Sequence, residues 1–294
     1  MSEFNDQLLN FLWQQLDAAW QLFLIAIGGF LSAILFTKIG WRAEFRRLFP
    51  SSLRVNLLVY IFDALVVAIP LATLVGVIYS KLNSTGLVAF SKIFDDAPAW
   101  LVGIMCLWIS DFVGYWRHRF EHSALLWPAH SLHHSDEEMT WFTLFRFHPI
   151  NRLSTAVIDY GVLFALGFPL WAIGLAGTVR YFYGMFVHIN RPWTLGLLGV
   201  ILVSPAMHRW HHVQAGRGMY SNYASIFSMF DRFFGTLYVP GPCYEKLGVE
   251  GIEHDEFRSQ MLLPLSVLWT KMQLFRMNIF RSTSKTVDRS NGTH

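Results

Sequence analysis

Residues 100–122 read WLVGIMCLWISDFVGYWRHRFEH, and this stretch decides the fold. Its apolar run from Trp100 to Trp116 approaches the roughly 20 helical residues that cross a hydrocarbon core of about 30 Å. It leads without a break into His118-Arg119-Phe120-Glu121-His122, where positions i and i+4 project from one helical face and can converge on a metal. Two earlier apolar segments, Trp20 to Phe36 and Leu57 to Tyr79, are also long enough to span. A fourth, Leu153 to Val187, is interrupted by Gly167-Phe168-Pro169 and reads as a helical hairpin. Its first arm of about a dozen residues reaches only about 18 Å, so the hairpin penetrates the membrane and both its ends return to one side. The fold class is therefore all-α: an integral-membrane helical bundle with a cytosolic histidine-rich helical cap.

Composition supports a membrane solvent. The chain is 53% hydrophobic and 15% charged, whereas soluble domains carry about a quarter charged residues. The net charge of +3 has no like-charge block of the kind that binds nucleic acid, which excludes that partner. Cys106 and Cys243 alone cannot form a disulfide framework or a thiolate metal site, so a metal here takes nitrogen or oxygen ligands. The first apolar segment follows Glu3, Asp6 and Asp17 and lacks a basic start, which marks a retained anchor rather than a cleaved leader. The next loop carries Lys38, Arg42, Arg46, Arg47 and Arg54 against Glu44 alone, while the following one balances Lys81 and Lys92 with Asp95 and Asp96. The positive-inside rule puts the basic loop in the cytosol, so the third span emerges there just before His118. Residues 189–275 read as a cytosolic cap and 276–294 as a polar tail. The run Met261 to Phe280, with Pro264, Lys271 and Arg276, reads as an interfacial or cap-packing helix.

Eleven of the twelve histidines lie between 118 and 254. Beyond the HxxxH of His118 and His122 there are two HxxHH clusters, His130-Ser131-Leu132-His133-His134 and His208-Arg209-Trp210-His211-His212. In each, i and i+3 share a face and i+4 points slightly round it, so one short helix can serve two neighbouring metals. Neutral imidazole suits iron, zinc and copper and leaves the metal its positive charge. Hydrogen-bonded histidines or a structural zinc site are the plainer readings, but two HxxHH clusters plus HxxxH beside a span weigh against both. A membrane metal-binding or transport protein would place ligands along a path inside the spans, and a bis-histidine haem protein would use only two of these side chains.

The order HxxxH, HxxHH, a single His after a membrane hairpin, then HxxHH resembles the fatty-acid hydroxylase and sterol desaturase superfamily of membrane di-iron oxygenases. The supporting phrases are DFVGYW at 111–116, LWPAHSLHHSDEE at 126–138, FRFHPIN at 145–151, SPAMHRWHH at 204–212 and NYASIFSMFDRFFGTLY at 222–238. The resemblance implies His118, His122, His130, His133, His134, His188, His208, His211 and His212 as metal ligands. It implies two iron ions, with zinc as an alternative occupant after purification, and dioxygen as co-substrate. It implies hydroxylation of a C–H bond in a fatty acyl, sterol or related membrane lipid, with desaturation at the same site as the alternative. The electrons would come from a separate donor protein of ferredoxin or cytochrome type. Some members place a further His where this chain has Pro192, leaving Asn190 or water to complete one metal.

The resulting organisation is 1–99 for N-terminal spans and loops, 100–240 for the di-iron catalytic region and 241–294 for the C-terminal cap and tail. Around the ligands, Asp111 lies two helical turns before His118 and reads as an acid that orients an imidazole, or one bonded to Tyr or Trp. His148 reads as a supporting or helix-capping residue. Glu121 and Asp136-Glu137-Glu138 read as solvated charges, Arg180 and Tyr183 as groups at the lipid headgroups, and Asp231-Arg232 as a local ion pair. Cys106 reads as packing, and His254 and His294 as incidental.

Overall fold

The computed structural model describes residues 52–86, 94, 96–252 and 256–270. The first apolar segment, most of the basic loop, His254, His294 and the polar tail lie outside them. Helix α1 (Leu53–Phe62) passes through a π-helical turn (Asp63–Val67) into α2 (Ala68–Thr85) as one rod. The wide turn sits just before Pro70, whose ring would otherwise press on the preceding turn and whose nitrogen cannot donate. The apolar stretch extends beyond the span read from the sequence, Leu57 to Tyr79, to Leu53–Leu82.

Helix α3 (Ala99–Glu121) has Pro98 at its N-cap and ends at His122. After α4 (Trp127–His134) and a 3-10 turn (Trp141–Phe145), the hairpin begins at Pro149. Its first arm is α5 (Pro149–Ser154), a π-helical turn (Thr155–Tyr160) and α6 (Gly161–Ala165); its second is α7 (Leu170–Val187). The reversal closes because Gly167 takes φ 85° while Phe168 N–H donates to the Leu163 carbonyl and Gly167 N–H to that of Phe164. That pattern satisfies carbonyls at the end of the arm and turns Phe168 into the core. Three helices, Leu53–Leu82, Ala99–Glu121 and Leu170–Val187, are long and apolar enough to cross a membrane. The molecule is an all-α membrane bundle; among the described residues the β-type contacts are isolated bridges.

One apolar core joins Val102 and Cys106 of α3 to Leu163, Phe164, Phe168, Ala172, Ile173 and Ala176 of the hairpin. A second joins Tyr115 to Val187, Val203, Met207, Tyr223 and Phe230, fastening the cap to α3 and α7. The cap contributes α8 (Pro205–His211) and α9 (Met229–Phe233). Residues 257–270 are helical, and Phe257 and Met261 pack on Val55, Val59 and Leu132.

Because Gly167 alone supplies the left-handed turn between the hairpin arms, Gly167→Ala should cost about 1–2 kcal/mol, the price of that conformation for an L residue. Gly76→Ala, on an open helical surface, should be neutral or slightly stabilising. Thermal unfolding of the two variants in detergent should move the midpoint down for the first and not for the second.

Candidate metal centre

Every one of the nine clustered histidines comes from a helix or a helix end. His118 lies in the last turn of α3 and His122 caps it. Helix α4 supplies His130, His133 and His134, starting at Leu126 with Pro128 in its first turn. His188 is the C-cap of α7. Helix α8 supplies His208 and His211 and ends on His212; it begins where Ser204 Oγ accepts the Met207 N–H and Pro205 occupies the first turn, which needs no donor.

The side chains gather into two sets whose ligand atoms lie within 4.8 Å of one another: His118, His122, His130, His134 and His211 in one, His133, His188, His208 and His212 in the other. Each HxxHH is divided between them. In both short helices i and i+4 enter the same set and i+3 enters the other, which differs from the pairing of i with i+3 read from the sequence. The reason is angular: at about 100° per residue, i+4 lies about 40° round the helix from i and i+3 about 60° the other way.

Hydrogen bonds fix which ring nitrogen faces inward. His118 Nδ1 donates to the Tyr223 carbonyl at 2.8 Å, His188 Nδ1 to Gly184 at 2.6 Å and His211 Nδ1 to Ser221 at 2.6 Å. A carbonyl only accepts, so these Nδ1 atoms carry the proton and Nε2 carries a lone pair. Yet the Nε2 atoms of His118 and His211 face each other at 2.9 Å. In the second set Nε2 of His188 faces that of His208 at 2.9 Å and of His133 at 3.2 Å, and His212 faces His208 at 3.1 Å. The Nε2 atoms of His122, His130 and His134 are buried without a hydrogen-bond partner. Ligands about 2.0–2.1 Å from one ion and about 90° apart stand about 3 Å from each other, the spacing seen here. The donor set fits two metal ions.

Burial first, and the neighbouring imidazoles second, hold His122, His130, His133, His134, His208, His211 and His212 well below the usual histidine range. Burial brings His188 down to about 4 against the opposing hydrogen bond to Gly184. The rings are therefore neutral and ready for a cation at neutral pH.

The acids around the site do not behave as the sequence led one to expect. Glu121 is fully buried: it pairs with Arg117 at 2.8 Å, accepts from Ser154 Oγ, and lies 3.5 Å from His130 Nδ1. Asp136 is buried as well, accepting from Thr143 Oγ1 at 2.6 Å and Asn56 Nδ2 at 3.1 Å. Burial opposes its charge, but Arg146 and these donors outweigh it and hold the carboxyl low. Asp111 accepts the backbone N–H groups of Ile226 and Phe227 rather than orienting an imidazole directly. Asp231 accepts those of Tyr223 and Ala224, while Arg232 beside it is exposed, so the two are not a local ion pair. Together Asp111 and Asp231 hold the segment whose carbonyls anchor His118 and His211.

Asn222, at φ 62°, turns that segment, its Nδ2 donating to the Met207 and Tyr238 carbonyls and its Oδ1 accepting the Tyr238 N–H. His148 caps α5 through Ile150 N–H and bonds to the Met261 carbonyl. Asn190 accepts from Arg209 at 3.2 Å, so its amide oxygen is engaged outside the four-histidine set. Tyr183 donates to the Val203 carbonyl, and Arg180 is paired with Asp159 at 3.0 Å and bonded to Ser110, so neither is a headgroup contact. Sequence reading missed Asn151, Asp159 and Arg117: the Asn151 carboxamide lies 3.3 Å from His130 Nδ1, and Arg117 bridges Asp159 and Glu121. The hints were the charges of Arg117 and Asp159 inside apolar helices and, for Asn151, its place at the end of the FRFHPIN phrase.

Beside the histidines is a cavity of about 200 Å³, running from His118, His133 and His208 between α3 and the hairpin to Leu163 and Ile173. Its wall includes Asp159 and Thr155 of the π-helical turn, a local widening of the kind that often marks functional sites.

Residues 103–236 match the fatty acid hydroxylase family. The chain is 32% identical over 174 residues to the ornithine lipid hydroxylase of Rhizobium tropici, covering 58% of this chain and 53% of that one. It is 33% identical over 138 residues to the alkylglycerol monooxygenase of Homo sapiens, covering 44% of this chain and 30% of that one. A Delta(7)-sterol 5(6)-desaturase of Gibberella zeae is 29% identical over 142 residues, 46% of this chain and 37% of its own. The chain thus spans about half or less of the curated relatives it matches. No solved structure matches it significantly.

Metal-free protein should lose stability as pH falls. In the unfolded chain histidine binds protons near 6.5, whereas His188 in the folded one resists them to about 4. Between these values the unfolded state holds more protons, so stability present above about 6.5 drains away toward 4. Unfolding midpoints of chelator-treated protein measured across this window should decline steeply; a flat profile would show that the rings are not neutral and buried.

Proposed function

We propose, from the match of residues 103–236 to the fatty acid hydroxylase family, that the chain is a membrane-bound non-haem di-iron oxidoreductase that uses dioxygen to hydroxylate a C–H bond of a lipid. One observation carries this reading: nine imidazoles, most of them buried, present inward nitrogens in two adjoining sets beside a cavity whose lining includes the apolar hairpin residues Leu163 and Ile173. His118, His122, His130, His134 and His211 would hold one ion, and His133, His188, His208 and His212 the other. When bound, two iron ions supply the activation of dioxygen and the oxidising power for the C–H bond. The chain's own part is to fix the rings through the carbonyls of Tyr223, Ser221 and Gly184, to keep water out by burial, and to orient a lipid chain between α3 and the hairpin.

The relatives' names place lipid hydroxylation first, and the sterol desaturase among them supports desaturation at the same site as the second reading. A separate ferredoxin- or cytochrome-type protein would deliver the electrons, the two cysteines of this sequence being too few for a rubredoxin-type centre. The basic residues 38–54 favour a multi-pass arrangement with the histidines on the cytosolic face. Cysteine labelling in sealed vesicles should then find positions near His134 and His212 accessible from that side; labelling from opposite sides would exclude the arrangement.

Elemental analysis of freshly isolated protein should give two metal ions per chain. His133→Ala and His211→Ala, which remove ligands from different sets, should each abolish turnover, as should neither Glu245→Gln nor Tyr244→Phe on the exposed rim. An active protein without metal would exclude the proposal.

Turnover of the iron-loaded enzyme with a reductant and isotopically labelled dioxygen should place the label in a product hydroxyl. An unlabelled alkene would support desaturation instead. Product formed equally well without dioxygen would exclude both.

A further inference from the structure

The segment after the hairpin belongs to what the sequence suggests is a cytosolic cap, yet its surface is apolar and its position along α3 is deep. Between Arg191 and Arg209 there is no Asp, Glu, Lys or Arg. Within it the 3-10 turn Gly196–Val200 exposes Leu197 (90%) and Leu198, with Val200 and Ile201 beside them. Its backbone is largely self-satisfied: Leu198 N–H donates to the Leu195 carbonyl, Ile201 and Leu202 to Leu198, and Val203 to Ile226. A loop with its own hydrogen bonds made and only apolar side chains outward is what a hydrocarbon boundary tolerates.

The loop is fastened to α9. Ser228 Oγ donates to the Gly199 and Val200 carbonyls, Ser228 N–H to that of Ile201, and Leu202 bridges to Phe227. Helix α9 in turn lies along α3, with Phe230 packed on Trp108 at 5.3 Å and Phe112 at 5.5 Å, while Asp111 holds the N–H groups of Ile226 and Phe227. Trp108 lies 13 residues before Glu121, a drop of about 20 Å from the histidine end of the helix. The contact is therefore near the middle of a 23-residue candidate span. On α9 Met229 and Phe233, the latter 82% exposed, point outward together with Arg232, whose long side chain can carry its charge toward the headgroups, and on α3 the neighbouring Ile104 and Trp108 are exposed too.

We propose that the 193–201 loop and the outer face of α9 are seated in the bilayer, continuing the lipid-facing surface of α3, so that this side of the cap dips into the membrane leaflet bearing the histidines. Leu197, Leu198 and Phe233 are the inserted side chains. Burying such apolar surface in lipid tethers the metal-bearing helix α8, which follows the loop directly, to the membrane level at which a lipid chain would enter.

The test is site-directed spin labelling of the full chain in phosphatidylcholine vesicles, comparing relaxation by dioxygen, which partitions into lipid, with relaxation by a water-soluble nickel chelate. Single cysteines replace Leu197, Phe233, Ile104 as a span reference and Tyr244 as a water reference, all exposed residues whose replacement leaves the cores intact. Protein without added cysteine gives the background from the buried Cys106 and Cys243. Labels at 104, 197 and 233 should favour dioxygen and the label at 244 the nickel chelate. Labels at 197 and 233 that respond to nickel as 244 does would overturn the insertion. Labels reached by neither reagent would overturn it in favour of contact with a second copy. A water-exposed label at 104 would overturn the span on which the depth argument stands. None of these readouts uses turnover, so failure here is separable from failure of the di-iron reading.

Discussion

Opposed lone pairs are the constraint around which this molecule is arranged. Two unprotonated Nε2 atoms about 3 Å apart repel, and the structure holds such a pair, His118 and His211, largely away from water, with further close Nε2 contacts in the second set. Protonation would relieve one contact but put a charge in a buried site, where desolvation is expensive. A shared cation relieves all of them together. The carbonyls of Tyr223, Ser221 and Gly184 make the alternative tautomer unavailable to three of the rings, so between His118 and His211 the repulsion cannot be escaped by moving a proton across an imidazole.

That arrangement keeps acids nearby but not in contact with the inward nitrogens, and among the described residues the buried carboxylates are committed elsewhere. Asp111 and Asp231 are taken up by backbone N–H groups of the 223–227 segment, and Asp159 by Arg117 and Arg180. Glu121 is shared between Arg117 and Ser154, with only its flank toward His130. Each acid has donors enough to keep it where it is, so the imidazole sets stay free of carboxylate ligands. A metal bound there would keep more of its charge than in a carboxylate-rich site. The positioning is relayed: acid to loop backbone, loop carbonyl to Nδ1, ring to Nε2.

The histidines were legible in the sequence because their grouping is local: spacings of three and four on short helices reveal convergence whatever the rest of the chain does. The spans and the Gly167-Phe168-Pro169 reversal were legible for the same reason. What escaped is tertiary. Asp136 sits in a run of three acids that looks solvated, and Asn56, 80 residues away, joins Thr143 and Arg146 in holding it indoors. Arg180 looks like a headgroup residue until the π-helical turn of the other arm presents Asp159 to it. The division of each HxxHH between two sets required the direction from which the other helices approach, which spacing alone does not contain.

The cavity wall shows what these pairings mean for a ligand. Its charged members are largely matched within the protein: Arg117 spans Asp159 and Glu121, Arg180 holds Asp159 and Ser110 through Nη1 although its Nε is buried without a hydrogen-bond partner, and Arg152 reaches Asp63 at 3.2 Å. A guanidinium whose donors already face carboxylates has little to gain from a second anion and would lose its existing hydrogen bonds in taking one. Selection along this wall therefore falls largely to shape and to apolar lining such as Leu163 and Ile173. The ion pairs act as rigid struts between α3 and the hairpin, holding apart the two surfaces between which an apolar chain would lie, and their worth to the site is the spacing they maintain rather than the charge they carry.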